Sequence, residues 1–364
     1  MKFRQTLLLA SVVLPATAAS ACADVNVIAS IKPVHSLVAA VMKGAGEPTL
    51  IVEGAGSPHT YSLKPSQAAA LQDADVVFWI GDDLEAFLQK PIETIGGDTK
   101  AVELIHSHGI ETLGFREGGA FEEHSHEHEE AGHDDHDADH MEADHDHDHE
   151  HDEDHAEEDD HEHEHAEAED HEHEEEHEHE HAEEHEHHHH HGEVDMHAWL
   201  DPMNAKAMVH EIAETLAAAD PDNAALYEKN AAAVSEKLDT LTTELTEELE
   251  PVHDAGFIVF HDGYQYFEHR FGLHAAGSIT VSPDVMPGAD RLREIQTKIG
   301  ELGATCVFAE PQFEPKLVSV VTEGTDARTG QLDPLGAAIE PGPDLYFELL
   351  HGMASSFKDC LAGS

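Results

Sequence analysis

From Glu122 to Glu193 the chain carries 36 of its 78 acidic residues and 25 of its 36 histidines, with no lysine or arginine. No face of that stretch is apolar at helical or strand spacing, so nothing offsets the entropy of ordering it. It is expected to be disordered without metal, and it divides the 364 residues into parts that must build their cores elsewhere. Outside the tract, 42 acids face 18 bases, a charge of −24 out of the total −60. That balance argues against nucleic acid and anionic membrane surfaces as partners.

Within the tract, histidine alternates with glutamate and aspartate, which keeps imidazole and carboxylate donors side by side. His124, His126, His128, His145, His147, His149 and the run His187, His188, His189, His190 and His191 are candidates for many weak, interchangeable metal contacts. A fixed tetrahedral site there would first require ordering the chain. The competing reading is a solvated acidic linker whose metal binding has no use. Copies of the zinc-protease pattern H-E-x-x-H begin at His161, His177 and His185, among others. That pattern works on a buried helix with a catalytic glutamate, and these copies come from simple repetition with no apolar side to bury.

The first residues read as a secretory signal: basic Lys2 and Arg4, an apolar run from Leu7 to Leu14, and the small-residue site Ala21-Cys22-Ala23. The run is too short to span a bilayer, which takes roughly 20 apolar residues, so no direct membrane insertion is expected. An acylated Cys22 is the alternative, in a poor lipidation context. Cleavage after Ala23 would leave Cys306 and Cys360, an even count that in an oxidising compartment suggests one disulfide. Two separate buried thiols are the other possibility.

The rest of the chain reads as α/β. "VNVIASI" (25–31), "TLIVE" (49–53) and "DVVFWIG" (75–81) resemble buried strands, with helices expected over 33–43, 65–73 and 83–89. "GFIVFH" (256–261), "GLHAAGSI" (272–279), "TCVFAE" (305–310) and "RTGQLD" (328–333) repeat the style, with helices over 264–271, 290–302, 315–322 and 344–357. Such alternation argues for mostly parallel sheets. Between the halves, residues 222–250 contain no Pro or Gly and place Tyr227, Val234, Leu238, Leu241, Leu245 and Leu249 on one stripe. That helix would span roughly 40 Å, enough for a strut across two lobes or for an ordinary crossover in one large domain.

The expected organisation is a signal over 1–23, an N-terminal lobe over 24–121, the tract over 122–193, the remainder of that lobe over 194–219, a linker helix over 220–252 and a C-terminal lobe over 253–364. Eleven histidines lie outside the tract, and three stand apart by context. His59 sits in a Gly/Pro-rich loop after a strand, His197 just before a helix, and His261 at the end of the strand "FIVFH". Strand-end loops are where α/β proteins collect ligands, and three such rings suit one tetrahedral ion.

At these residues the chain resembles the metal-binding class of solute-binding proteins that feed ABC importers, and among them the zinc-specific members. The likeness rests on "GAGSPHTYSLKPS", "DADVVFWIGDDLEAFL", "MHAWLDP", "FIVFHDGYQYFEHRFGL", "TCVFAEPQF" and "GQLDPLG", and it covers most of the chain outside the tract. It implies two α/β lobes joined by a long rigid helix, Zn2+ held between them, a membrane permease as partner and a periplasmic monomer without catalysis. It also implies His59 and His197 as ligands from the first lobe, His261 from the second, and a Cys306–Cys360 disulfide. The fourth position falls to Asp333 or to a water. One departure is Pro58, where some zinc members carry an acidic residue.

Manganese-importing relatives tend to have a carboxylate where this chain has His261, and imidazole shifts a site from hard toward borderline cations. A flexible tract of about 70 residues spans roughly 45 Å and would keep its ions near the cleft, as scavenger or as sensor. An exported zinc buffer is the competing function. A zinc hydrolase would need an open coordination position and a general base, and no motif assigns one.

Overall fold

The computed structural model describes residues 25–94, 99–116, 121, 194–280, 287–302, 306–313 and 316–362. The expected signal, Cys22 and the histidines of the tract lie outside the described residues. Strand-forming runs rich in Val, Ile and Phe are covered on both faces, as parallel sheets require.

In the first half, β1 (Val27–Ala29), α1 (Lys32–Val41), β2 (Thr49–Leu50), α2 (Pro65–Gln72), β3 (Val76–Trp79), α3 (Ala86–Thr94) and β4 (Lys100–Glu103) follow in order. The strands form one parallel sheet in the order β2-β1-β3-β4. After the tract, α4 (Pro202–Ala219) packs onto this sheet, its start fixed by Pro202 and by Asp201, which accepts from the Met203 N–H. Then comes α5 (Ala224–Leu249). The second half holds β5 (Phe257–His261), α6 (Gln265–Phe271), β6 (Ala275–Thr280), α7 (Ala289–Leu302), β7 (Cys306–Ala309), α8 (Lys316–Thr322), β8 (Arg328–Gln331) and α9 (Leu345–Leu361). Its parallel sheet runs β6-β5-β7-β8, the same winding as the first.

In each sheet the first strand feeds a neighbour on one side and then one on the other. The chain therefore leaves a crevice beside the carboxyl ends of β1 and β3, and another beside those of β5 and β7, where α/β sheets bind ligands. α5 joins the two sheets. Its 26 residues span about 39 Å at 1.5 Å per residue. Tyr227, Ala231, Val234, Leu238, Leu241, Leu245 and Leu249 are buried along one stripe, against α1 and α4 of the first lobe and α9 of the second. The main core runs through both lobes along this stripe. In β5 the alternation is visible directly: Phe257 and Val259 enter that core, while Ile258 and Phe260 enter a second cluster with residues of α7 and α8.

Three expectations differ from the structure. "TLIVE" forms a strand only at Thr49–Leu50, although the Ile51 and Val52 amides still donate to Ala29 and Ser30. β4 was not anticipated, because an edge strand reading "KAVE" buries little and carries no apolar run. α3 starts at Ala86 and continues through Pro91, later than the expected 83–89. Glu85 causes the delay: its carboxylate accepts from the Ile80 and Gly81 amides, so residues 81–85 form a turn. Among the described residues no helix is long and apolar enough to cross a membrane.

Cys306 in β7 and Cys360 in α9 form a disulfide across 54 residues. Closing a loop of that size contributes on the order of 4 kcal/mol by restricting the unfolded chain. Replacing both cysteines by alanine is expected to lower unfolding free energy by about that amount in urea titrations. A change below about 1 kcal/mol would show that the bond has no such role.

Candidate metal centre

His261 ends β5, and Glu310 stands one residue past β7, so the two face each other at the crevice of the second sheet. The His261 Nδ1–H donates to Glu310 Oε1 at 2.6 Å, and its backbone amide reaches the same oxygen at 3.3 Å. His197 precedes the short turn that leads into α4. Its Nδ1–H donates to Asp195 Oδ1 at 2.7 Å, and its amide donates to that oxygen at 3.0 Å. Asp195 is fixed in turn: its amide bonds Leu113 O, and its carbonyl accepts from the Tyr266 hydroxyl. His59 lies in the loop after β2. The Gln67 side chain shapes that loop by accepting from the Lys64 amide and donating to Ile51 O.

With each Nδ1–H given to a carboxylate, the Nε2 atoms of His197 and His261 present bare lone pairs. They lie 3.2 Å apart, and His59 Nε2 lies 3.3 Å from that of His197. Lone pairs so close repel one another, and a cation between them removes the repulsion. A tetrahedral zinc with bonds near 2.0–2.1 Å holds neighbouring nitrogens at about 3.3 Å. Among the described residues, His59, His197 and His261 are the group whose ligand atoms lie close enough to share one ion. Carboxylates on the far ring nitrogens fix tautomer and orientation and raise the basicity of the donors.

The charge state of His59 agrees with this use. His59 is partly open to water, yet desolvation, followed by the neighbouring His197 and His261, pushes its pKa well below the usual imidazole value. The ring is therefore neutral and able to bind metal at neutral pH. Burial also pushes His261 down, but Glu310 outweighs it, helped by Asp262 and Asp195, and the net direction is up. Around the rings stand Pro58, Trp199, Phe313, Pro334 and Leu335, a mostly apolar wall that strengthens interactions with a bound cation.

Asp333 is not brought into the group. Its Oδ1 accepts from Gln312 Nε2 at 2.9 Å and from the Leu335 amide at 3.2 Å, and its Oδ2 from the Ala337 amide at 2.6 Å. The remaining histidines are elsewhere. His35 is buried in α1 and donates to Pro48 O, whereas His106, His108, His210, His253, His269 and His274 are exposed and His351 half-buried.

Three residues of the site escaped the sequence reading. Asp195 could have been suspected from its place two before His197. Glu310 lies 49 residues from its histidine, and only the pairing of β5 with β7 brings it near. The third is Gly263, where an added Cβ would come within 2.4 Å of His261 Nε2 and 3.0 Å of His197 Nε2. A side chain there would occupy the space between the rings.

Gly263→Ala is accordingly expected to abolish tight metal binding while far-UV circular dichroism stays unchanged. Asp195→Asn and Glu310→Gln should each weaken binding on the order of 10- to 100-fold in chelator competition. Wild-type affinity in either carboxylate variant would show that the rings need no such support.

Residues 27–360 match the family described as ZnuA, zinc-uptake complex component A, periplasmic. The high-affinity zinc uptake system protein ZnuA of Brucella suis is 54% identical over 364 residues, covering 100% of both chains. That of Paracoccus denitrificans is 41% identical over 337 residues, covering 92% of this chain and 91% of its own. A crystal structure of ZnuA superposes with a TM-score of 0.65 at 23% identity, over 93% of this chain and 99% of the other. A zinc-bound ZnuA lacking its residues 138–173 gives 0.63 at 22% identity, with the same coverage; both likenesses concern the fold. Three imidazoles converging between two parallel-sheet lobes, in a sequence matched from end to end, place this chain in the ZnuA family of periplasmic zinc-uptake components.

Proposed function

We infer that this chain captures Zn2+ with His59, His197 and His261 and hands it to the membrane permease of an ABC-type importer. The observation that carries the reading is the set of Nε2–Nε2 distances, 3.2 and 3.3 Å, at the spacing a tetrahedral zinc imposes. Three borderline nitrogen donors favour zinc over manganese or magnesium. All three come from one chain, so a monomer is sufficient. The fourth position is filled by water. A nanomolar site corresponds to about −12 kcal/mol. Release follows when docking on the permease shifts one lobe against the other, because His261 belongs to the second lobe and His59 and His197 to the first.

The tract supplies a second, weaker class of binding. Its 25 histidines and 36 acids gather divalent ions at low affinity and set how many are at hand.

Zinc titration of three forms tests both parts: the intact chain, one lacking residues 124–191, and His59→Ala/His261→Ala. The deletion is expected to remove weak stoichiometry and leave one tight site, and the double substitution to abolish that site. Tight binding that disappears with the tract and survives the double substitution would make the protein an exported zinc buffer instead. A strain relying on the double variant should fail to grow under zinc starvation if uptake is the role.

A further inference from the structure

Lys32 opens α1 three residues after β1 ends, in the first lobe. It is 4% exposed, and its ammonium donates to three main-chain carbonyls of the second lobe: Gly336 at 2.8 Å, Ala337 at 3.0 Å and Ile339 at 2.8 Å. Three donors meet three acceptors. Burying an ammonium is costly, and an apolar side chain of the same length would fill the space without that cost. The geometry therefore indicates a positional role.

The loop so held is the one that begins at Asp333. Asp333 binds the amides of Leu335 and Ala337, while Lys32 binds the carbonyls of Gly336, Ala337 and Ile339. The amide side of the loop is thus gathered from within, and the carbonyl side from the opposite lobe. Trp199, beside the metal-binding rings, adds a bond from its Nε1–H to Pro334 O at 2.9 Å. Pro334, Leu335 and Gln312 line the metal centre, and Gln312 donates to Asp333, so the Asp333 carboxylate stands one side chain behind the wall of the site.

We propose that Lys32 is a positioning residue for metal choice: by pinning residues 336–339 across the lobe boundary it keeps Asp333 bound to its own loop and away from the ion. The ion then meets three imidazoles and no carboxylate, which favours Zn2+. With the pin removed, the loop carbonyls lose their partner, the amides shift away from Asp333, and its carboxylate turns toward the ion. An added oxygen donor hardens the site and raises Mn2+ binding relative to Zn2+. This inference rests on the three-imidazole site described above and assigns its selectivity to a residue that does not touch the metal.

The test measures Zn2+ and Mn2+ affinities of the full-length wild type, Lys32→Met and Lys32→Met/Asp333→Asn, each with a thermal melt. Lys32→Met is expected to lower the zinc-to-manganese affinity ratio on the order of 10- to 100-fold, and the second substitution to restore it. A merely structural lysine would weaken both metals alike, and an unchanged ratio in a folded Lys32→Met overturns the proposal. Asp333→Asn alone, in a chain that keeps Lys32, provides a reading independent of whether Lys32→Met folds. It should leave zinc affinity within about threefold, since the pinned carboxylate is not a ligand, whereas a loss of tenfold or more overturns the proposal. A wild type without a single tight zinc site would instead refute the reading of the cleft, not the role of Lys32 within it.

Discussion

Two hydrogen bonds between imidazole and carboxylate, His197 to Asp195 and His261 to Glu310, set the chemistry of this protein. Each consumes the proton on one ring nitrogen and leaves the other as a lone pair. Because the two rings belong to different lobes, their lone pairs face each other across the boundary at 3.2 Å. That arrangement is unfavourable without a cation and well matched to one. On the proposed reading, Zn2+ meets rings whose tautomer and direction are already set.

Such a site tolerates little movement, and the fold supplies stiffness on several sides. α5 runs along both lobes with its buried stripe continuous with their shared core. Across the boundary, α6 fastens to the first lobe through Gln265 to Gly114 O, Tyr266 to Leu113 and Asp195, and Arg270 to Asp201. Arg116 adds paired contacts to Asp262, the neighbour of His261, and to Glu268. Lys32 and Trp199 fasten the loop on the other wall. Buried ionic contacts of this kind contribute little net stability; here they hold the donors in register. On the proposed reading these same contacts must yield for Zn2+ to leave, since a modest shift between lobes separates His261 from His59 and His197.

Much of this was legible in the sequence. Apolar runs alternating with helical patterns gave two parallel-sheet halves, and the stripe from Tyr227 to Leu249 gave α5, because periodicity reports directly on which face is buried. His59, His197 and His261 stood out through their loops at strand and helix ends. β4 was hidden because an edge strand has little need of apolar residues, and the start of α3 because a side chain, Glu85, took the amides that a helix would otherwise have begun with.

The sequence alone determined the donor types, the acidic and histidine-rich composition of residues 122–193, the class of fold and the family likeness, since these follow from residue chemistry and local spacing. Tertiary structure decided which carboxylate serves which ring, that Gly263 must lack a side chain, and that Asp333 is occupied by its own loop while Lys32 reaches across to hold it. The pairing of Glu310 with His261, the approach of His261 to His197 and the reach of Lys32 to its loop bring together residues 49, 64 and 304 positions apart. Strand order and lobe packing set those distances, and local sequence carries no record of them.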